Sequence, residues 1–371
     1  MVFKRIDRRL IANFDWMLLF SMLALCLSGL CVIYSAGYDP QSGTSPAMIK
    51  QSIAMGIGLG AFLFCMLINW TFWRRSAFLF YFLGLGLLGF VVFNGVVAGG
   101  ARRWIDIGAF RMQPSEFMKV GIILVFARIF SSESAPKDGY TFWTMLYPCS
   151  LLVVPTILIM RQPDLGTALC LLLIGGSMLL MAGVKRGTLI RLCMTGILLS
   201  VPAWSMMKDY QRKRVLTFIS PEIDPLGSGY HAIQSKIAVG SGAVTGKGYL
   251  QGTQTQLRFL PEQTTDFIFS VLAEEWGFIG SLFVIVLYGI LVGRLLSIAS
   301  RCEERFPAFV TIGVAAMMFW HCIINIGMVI GVMPVVGVTL KLFSYGGSSL
   351  ISAMAAIGLV AGFTVRRYMF S

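Results

Sequence analysis

Asp266 is the first residue whose type and place could do chemistry. It stands in Thr264-Thr265-Asp266-Phe267-Ile268-Phe269, at the mouth of a long apolar run. At helical spacing, Ser270, Ala273, Glu274 and Gly277 fall on roughly its face, which is polar or small where a lipid-facing stripe would be apolar. A partly desolvated carboxylate there suits a general base reaching a head group at the membrane edge. The plainer reading is a helix N-cap. A second constellation is Gln113-Pro114-Ser115-Glu116-Phe117-Met118-Lys119. Pro114 fits a first helical turn, Glu116 suits the positive helix end, and Lys119 lies three residues on, within reach of Glu116. The two form either an ion pair that fixes helix packing, or the lining of a hydrated cavity in which Lys119 meets a phosphate.

Four further groups are candidates, the first of which could face the same cavity. Asp164, in Gln162-Pro163-Asp164-Leu165-Gly166-Thr167, is a helix cap or a second acid. Arg102 and Arg111, with Arg103, make a basic cluster in a short loop. Ser344-Tyr345-Gly346-Gly347-Ser348 precedes the last apolar run; its glycines permit close approach, and its N–H groups could hold an anion or simply form a turn. Between glycines at 229 and 240 a short amphipathic helix at the outer interface would cover the bundle, or present Gln234, Ser235 and Lys236 to a head group.

The elements that must position these side chains are membrane spans. Hydrophobic residues make up 57% of the 371 and charged residues 13%, about half the usual share for a soluble domain. Water-soluble folds cannot hide that much apolar side chain. The expected fold is therefore all-α and integral to a membrane, since barrel strands would alternate. Ten apolar segments are read at about 15–36, 48–68, 77–97, 116–130, 142–160, 165–184, 189–206, 267–292, 309–330 and 347–365. They form one polytopic domain over 1–371, with a large extracytoplasmic loop at about 207–266 between helices 7 and 8. Lys4, Arg5, Arg8 and Arg9 before the first span place the N-terminus in the cytoplasm, and ten spans return the C-terminus there. No cleavable signal peptide is read.

Net charge is +13. The topology rule disfavours the outside cations Arg102, Arg103 and Arg111, so a solvated loop competes with a basic face for an anionic lipid head group. The 8 Cys lie almost entirely in apolar runs, with no CxxC pair, and behave as small hydrophobes. With only two His, His231 and His321, a His-built metal centre is not expected, while a carboxylate-bound hard cation stays open. No nucleic-acid partner is expected, and unequal halves weaken a secondary transporter.

Together these segments resemble the SEDS family (shape, elongation, division and sporulation proteins). The markers are Gly100-Ala101-Arg102-Arg103-Trp104-Ile105-Asp106, Gln-Pro-Ser-Glu at 113–116, Gln-Pro-Asp-Leu-Gly-Thr at 162–167, Asp-Tyr-Gln-Arg at 209–212, Asp-Pro-Leu-Gly at 224–227, Gly-Thr-Gln at 252–254, Asp-Phe-Ile-Phe at 266–269 and Ser-Tyr-Gly-Gly-Ser at 344–348. Gln-Ser-Lys at 234–236 and Gly-Lys-Gly at 246–248 look like the elongation branch. The resemblance implies a peptidoglycan glycosyltransferase in the bacterial cytoplasmic membrane. Its active site would face outward, polymerising lipid II into β-1,4 strands for cell-wall elongation and rod shape. Implied partners are lipid II, a class B penicillin-binding protein and elongation-complex membrane proteins. The resemblance makes Asp266 the essential carboxylate and Glu116, Lys119 and Asp164 cavity positions. Two positions depart from the family pattern: Thr264 stands where His is common, and Lys341 interrupts an apolar run.

Inverting transfer from a pyrophosphate donor needs one base and charge stabilisation of the leaving group, with no protonated acid. Asp266 would be the base; Arg102, Arg111, Lys119, Lys236 or a divalent ion (Mg or Mn) would stabilise the pyrophosphate. No tightly bound cofactor is expected. The rival readings are a lipid II flippase and a non-catalytic scaffold that activates a penicillin-binding protein.

Overall fold

A computed structural model describes residues 14–39, 41, 43–98, 101–108, 110–136, 138–207, 211–212, 216–218, 220, 228–257, 259–260 and 262–367. Each of the ten apolar segments coincides with a helix. In chain order these are α1 (Trp16–Ala36), α2 (Pro46–Leu67), α3 (Trp70–Asn94), α4 (Pro114–Phe130), α5 (Phe142–Arg161), α6 (Leu165–Met181) and α7 (Arg186–Met206). After α8 (Ser228–Ser241) and α9 (Thr253–Gln256) come α10 (Ile268–Arg301), α11 (Arg305–Val329) and α12 (Gly347–Arg367). Among the described residues, seven helices are long and apolar enough to cross a membrane: α1, α2, α3, α5, α10, α11 and α12. α4 and α6 have 17 residues each, and α7 carries Arg186 and Arg191.

The boundaries follow local chemistry. Asp15 caps α1 by accepting the Leu18 N–H at 3.1 Å, and its other oxygen accepts from Arg294 Nε at 2.7 Å, which ties the start of α1 to α10. Thr141 and Thr144 make a reciprocal capping box on α5. Asn69 caps α3, so that helix begins at Trp70, seven residues before the expected 77. It ends at Asn94, because Val96–Ala98 is already a strand. Strands β1 (Val96–Ala98), β2 (Ala101–Ile107) and β3 (Phe110–Met112) form an antiparallel sheet in that order, with Asp106 opposite Arg111. This small sheet corrects the all-helical expectation. The segment read as a large loop also holds α8 and α9.

α10 runs 34 residues and is broken at Gly277, whose φ is +62°. The backbone groups released by the break are taken up by segment 242–248. Lys247 N–H donates to Glu274 O and Gly248 N–H to Glu275 O, both at 3.0 Å; Phe278 N–H donates to Ala243 O at 3.0 Å and Ile279 N–H to Val244 O at 3.1 Å. A helix can be interrupted at membrane depth only when its freed polar groups find partners within the protein. Crossing so closely requires glycine: a Cβ on Gly246 would lie 2.1 Å from Glu275 O.

α4 is the central helix, its residues from Ile122 to Ala127 all buried against α3, α6, α11 and α12. Phe64, Phe93, Trp143 and Leu198 lie on the apolar outside, as expected of a lipid-facing surface.

Candidate active site

The segment that carries Asp266 is pinned from three sides. Gln263 Nε2 donates to Ala36 O at the end of α1, 2.7 Å. Tyr345 N–H donates to Thr264 O, 2.9 Å. Asn325 Nδ2, from α11, donates to Asp266 O, 2.8 Å. Asp266 itself is half-buried and stands two residues before α10; the cap position is Phe267, without a side-chain cap bond. One carboxylate oxygen lies against Gly337, where a Cβ would come within 3.2 Å. On the expected polar face, Ser270 bonds Ser235 of α8 at 2.9 Å. Glu274 is fully enclosed and accepts from Lys247, Thr253, Gln254 and Thr255, the shortest contact 2.8 Å to Lys247 Nζ. That face is therefore a packing surface holding α8 and the 242–255 segment.

The Ser344–Ser348 turn borders Asp266. Gln51 of α2 clasps it, with Nε2 donating to Ser344 O at 3.1 Å and Oε1 accepting the Gly346 N–H at 3.0 Å. The N–H groups of Tyr345 and Gly346, considered above as anion ligands, are thus occupied. Ser344 Oγ accepts from Leu340 N–H. Gly347 opens α12, and Ser348 Oγ accepts from Gln113 N–H at 3.1 Å and donates to Arg111 O at 3.0 Å. A continuous path of contacts therefore runs from Thr264 through the turn to Arg111. Burial raises the Tyr345 phenol above its ordinary value, and nearby Arg111 partly offsets the rise.

Arg111 is more than half exposed and 4.0 Å from Asp106; Arg102 is exposed and bonds Phe93 O at 3.2 Å. Arg103 points inward. It donates to Gln162 O and Pro163 O and lies 3.8 Å from Asp164. Asp164 does cap α6, accepting Thr167 N–H at 3.1 Å and Thr167 Oγ1 at 2.9 Å, and also accepts from Gln113 Nε2 at 3.3 Å. It joins the starts of α4 and α6 to the sheet.

Glu116 and Lys119 are enclosed rather than lining open space: they are 4% and 1% exposed. Lys119 Nζ donates to Glu116 Oε1 at 2.7 Å and sits 3.0 Å from His321 Nε2. Lys341 does not reach toward an interface. It is fully buried, and its ammonium donates to Glu116 Oε2, to Ser349 O at 3.3 Å and to Ser352 Oγ at 3.2 Å. One carboxylate thus holds two lysines. On α8, Lys236 is exposed with its stem across Gly331, just past the C-terminal end of α11, and Gln234 is partly exposed. Asp209 and Arg258 lie outside the described residues.

The sequence reading missed Gln51, His321 and Asn325, and grouped Arg103 with its exposed neighbours. Each is a polar residue in or beside an apolar run, a signal that intramembrane polar groups are positioned for use. Among the described residues no three His, Cys, Asp or Glu side chains gather to hold a metal ion.

A polytopic helical membrane protein with a polar rim, a half-buried carboxylate on it and reachable arginines is the class that fold and site define. Residues 15–368 match the family model described as "Cell cycle protein", covering FtsW, RodA and SpoVE, and the chain belongs to that family. It is 39% identical to the peptidoglycan glycosyltransferase MrdB of Escherichia coli K12, over 97% of this chain and 95% of that protein. It is 31% identical to the peptidoglycan glycosyltransferase RodA of Treponema pallidum, over 96% of this chain and 99% of that one. Among solved structures, a chain of a peptidoglycan synthase complex that coordinates polymerization and crosslinking superposes with a TM-score of 0.81 at 32% identity, covering 96% of this chain and 98% of that one. The rod shape determining protein RodA of Thermus thermophilus does so with a TM-score of 0.71 at 30% identity, with the same coverage.

Proposed function

We propose that this chain is a peptidoglycan glycosyltransferase that polymerises lipid II on the outer side of the cytoplasmic membrane, with both termini inside. The supporting observation is the placement of Asp266: a half-buried carboxylate on a backbone pinned from three sides, on the same rim as Arg111. Family membership and the names of its relatives supply the substrate class.

In the proposed reaction, Asp266 accepts the proton of the attacking sugar hydroxyl. That oxygen attacks the anomeric carbon of the donor as the bond to undecaprenyl pyrophosphate breaks, with inversion. Pre-positioned charge at the leaving group supplies much of the acceleration in such transfers. Arg102, Arg111 and Lys236 are the exposed cations for that task. Lys119, Glu116 and Asp164 act in this account by holding α4, α6 and α12 in register, and Ser344 to Ser348 with Gln234 shape the rim. A Mg or Mn ion, if used, would draw much of its coordination from the substrate's phosphates and water. A class B penicillin-binding protein is the proposed partner, by analogy with the synthase complex.

The test is strand formation from purified lipid II by the full chain with its penicillin-binding partner, other glycosyltransferases being inhibited. Long glycan strands are expected. Lipid II that is transported or bound but never polymerised, with an active partner present, would contradict the reading in favour of a flippase or scaffold.

A further inference from the structure

Asn325 lies near the end of α11 and is completely enclosed. Its Nδ2 donates to two backbone carbonyls from distant parts of the chain, Asp266 O at 2.8 Å and Val338 O at 2.7 Å. Two carbonyl partners on one atom assign the amide's orientation, and both of its hydrogens are used. Its Oδ1 is buried with no donor against it. Leaving a buried acceptor unpaired costs about 1–3 kcal/mol. A side chain kept under that penalty while serving two carbonyls is holding backbone rather than filling space. The two backbones it joins form the cradle of the carboxylate: Gly337, next to Val338 and at φ +73°, is where one Asp266 oxygen comes to rest.

We propose that Asn325 is the positioning residue for Asp266, fixing the 266 peptide to the 336–338 segment and so setting where the carboxylate points. The proposal rests on Asp266 being the reacting group. Misplacing a catalytic group by about 1 Å costs about 100-fold. Asn325→Ala is therefore expected to lower kcat for lipid II polymerisation by about that factor, with KM within about twofold. Asn325→Asp keeps the shape. As a carboxylate it donates no hydrogen bond, and as a protonated acid it donates one. With one bond at most in place of two, its activity should fall below wild type, and furthest at the higher pH where the acid is ionised.

The experiment measures kcat, KM and pH profiles for the full chain with its partner, using wild type, Asn325→Ala, Asn325→Asp and Asp266→Asn, with thermal unfolding alongside. A folded Asn325→Ala with kcat within about threefold of wild type, or with raised KM alone, would overturn the proposal. If Asn325→Ala does not fold, Asn325→Asp decides: wild-type activity without added pH dependence would overturn it equally. Wild-type polymerisation by Asp266→Asn would instead remove the underlying reading, whatever the Asn325 variants do.

Discussion

Glu116→Gln and Lys341→Met should have very unequal consequences, although they remove the two ends of one ion pair. Lys119 reaches one Glu116 oxygen at 2.7 Å and Lys341 reaches the other, all three side chains being buried. At an effective dielectric of about 20, opposite unit charges about 4 Å apart attract by about 4 kcal/mol, and the two ammonium groups, held on different oxygens of one carboxylate and so further apart, repel by less. Removing Glu116 loses both attractions and leaves the repulsion, which relief of the carboxylate's desolvation offsets only partly. The expected loss is about 3–5 kcal/mol, in the range for breaking a buried pair from one side. Removing Lys341 loses one attraction, ends the repulsion and relieves a desolvation of several kcal/mol. The net should lie within about 1 kcal/mol of zero, on either side. Thermal unfolding in detergent should place Glu116→Gln about 5 °C or more below wild type and Lys341→Met close to it. The double variant should recover part of the loss. Equal destabilisation by the two single variants would refute the charge counting.

Two other substitutions test the fold around the site. Gly246→Ala, at φ +81° with its Cβ 2.1 Å from Glu275 O, should undo the crossing of α10 and lower the unfolding temperature sharply, while Gly60→Ala, with nothing within 4 Å, should not. Arg103→Ala should destabilise by about 1–3 kcal/mol in the same assay, because it releases the carbonyls of Gln162 and Pro163. Arg102→Ala should leave unfolding nearly unchanged and weaken lipid II binding, measured by titration.

The helices were legible because apolar length is a one-dimensional signal: all ten runs became helices, displaced mainly where a cap such as Asn69 set the start. The pairing of Glu116 with Lys119 was legible for the same reason, being three residues apart on one helix. Lys341 and His321 join that pair from more than 200 residues away; each stands out in an apolar run, but no local pattern says that they meet Glu116 and Lys119. The three arginines at 102, 103 and 111 look alike in sequence. Only the register of β2 and the path of the 162–164 turn show which of them faces Asp164. The sheet at 96–112 was missed although Trp104, Ile105 and Ile107 favour strands, because the glycines and charges around them read as a loop. The rim of Asp266 is assembled from α1, α2, α11 and the 336–348 segment, so its geometry exists only in the folded bundle.

The central claim is that Asp266 is indispensable to polymerisation and dispensable to substrate binding. It is tested most directly by comparing wild type with Asp266→Asn, both folded and partnered, for glycan strands made from lipid II and for lipid II affinity. Strands from wild type alone, with affinity within about threefold, are expected because the amide keeps the shape and loses the base. Equal strand formation by the two proteins would contradict the account.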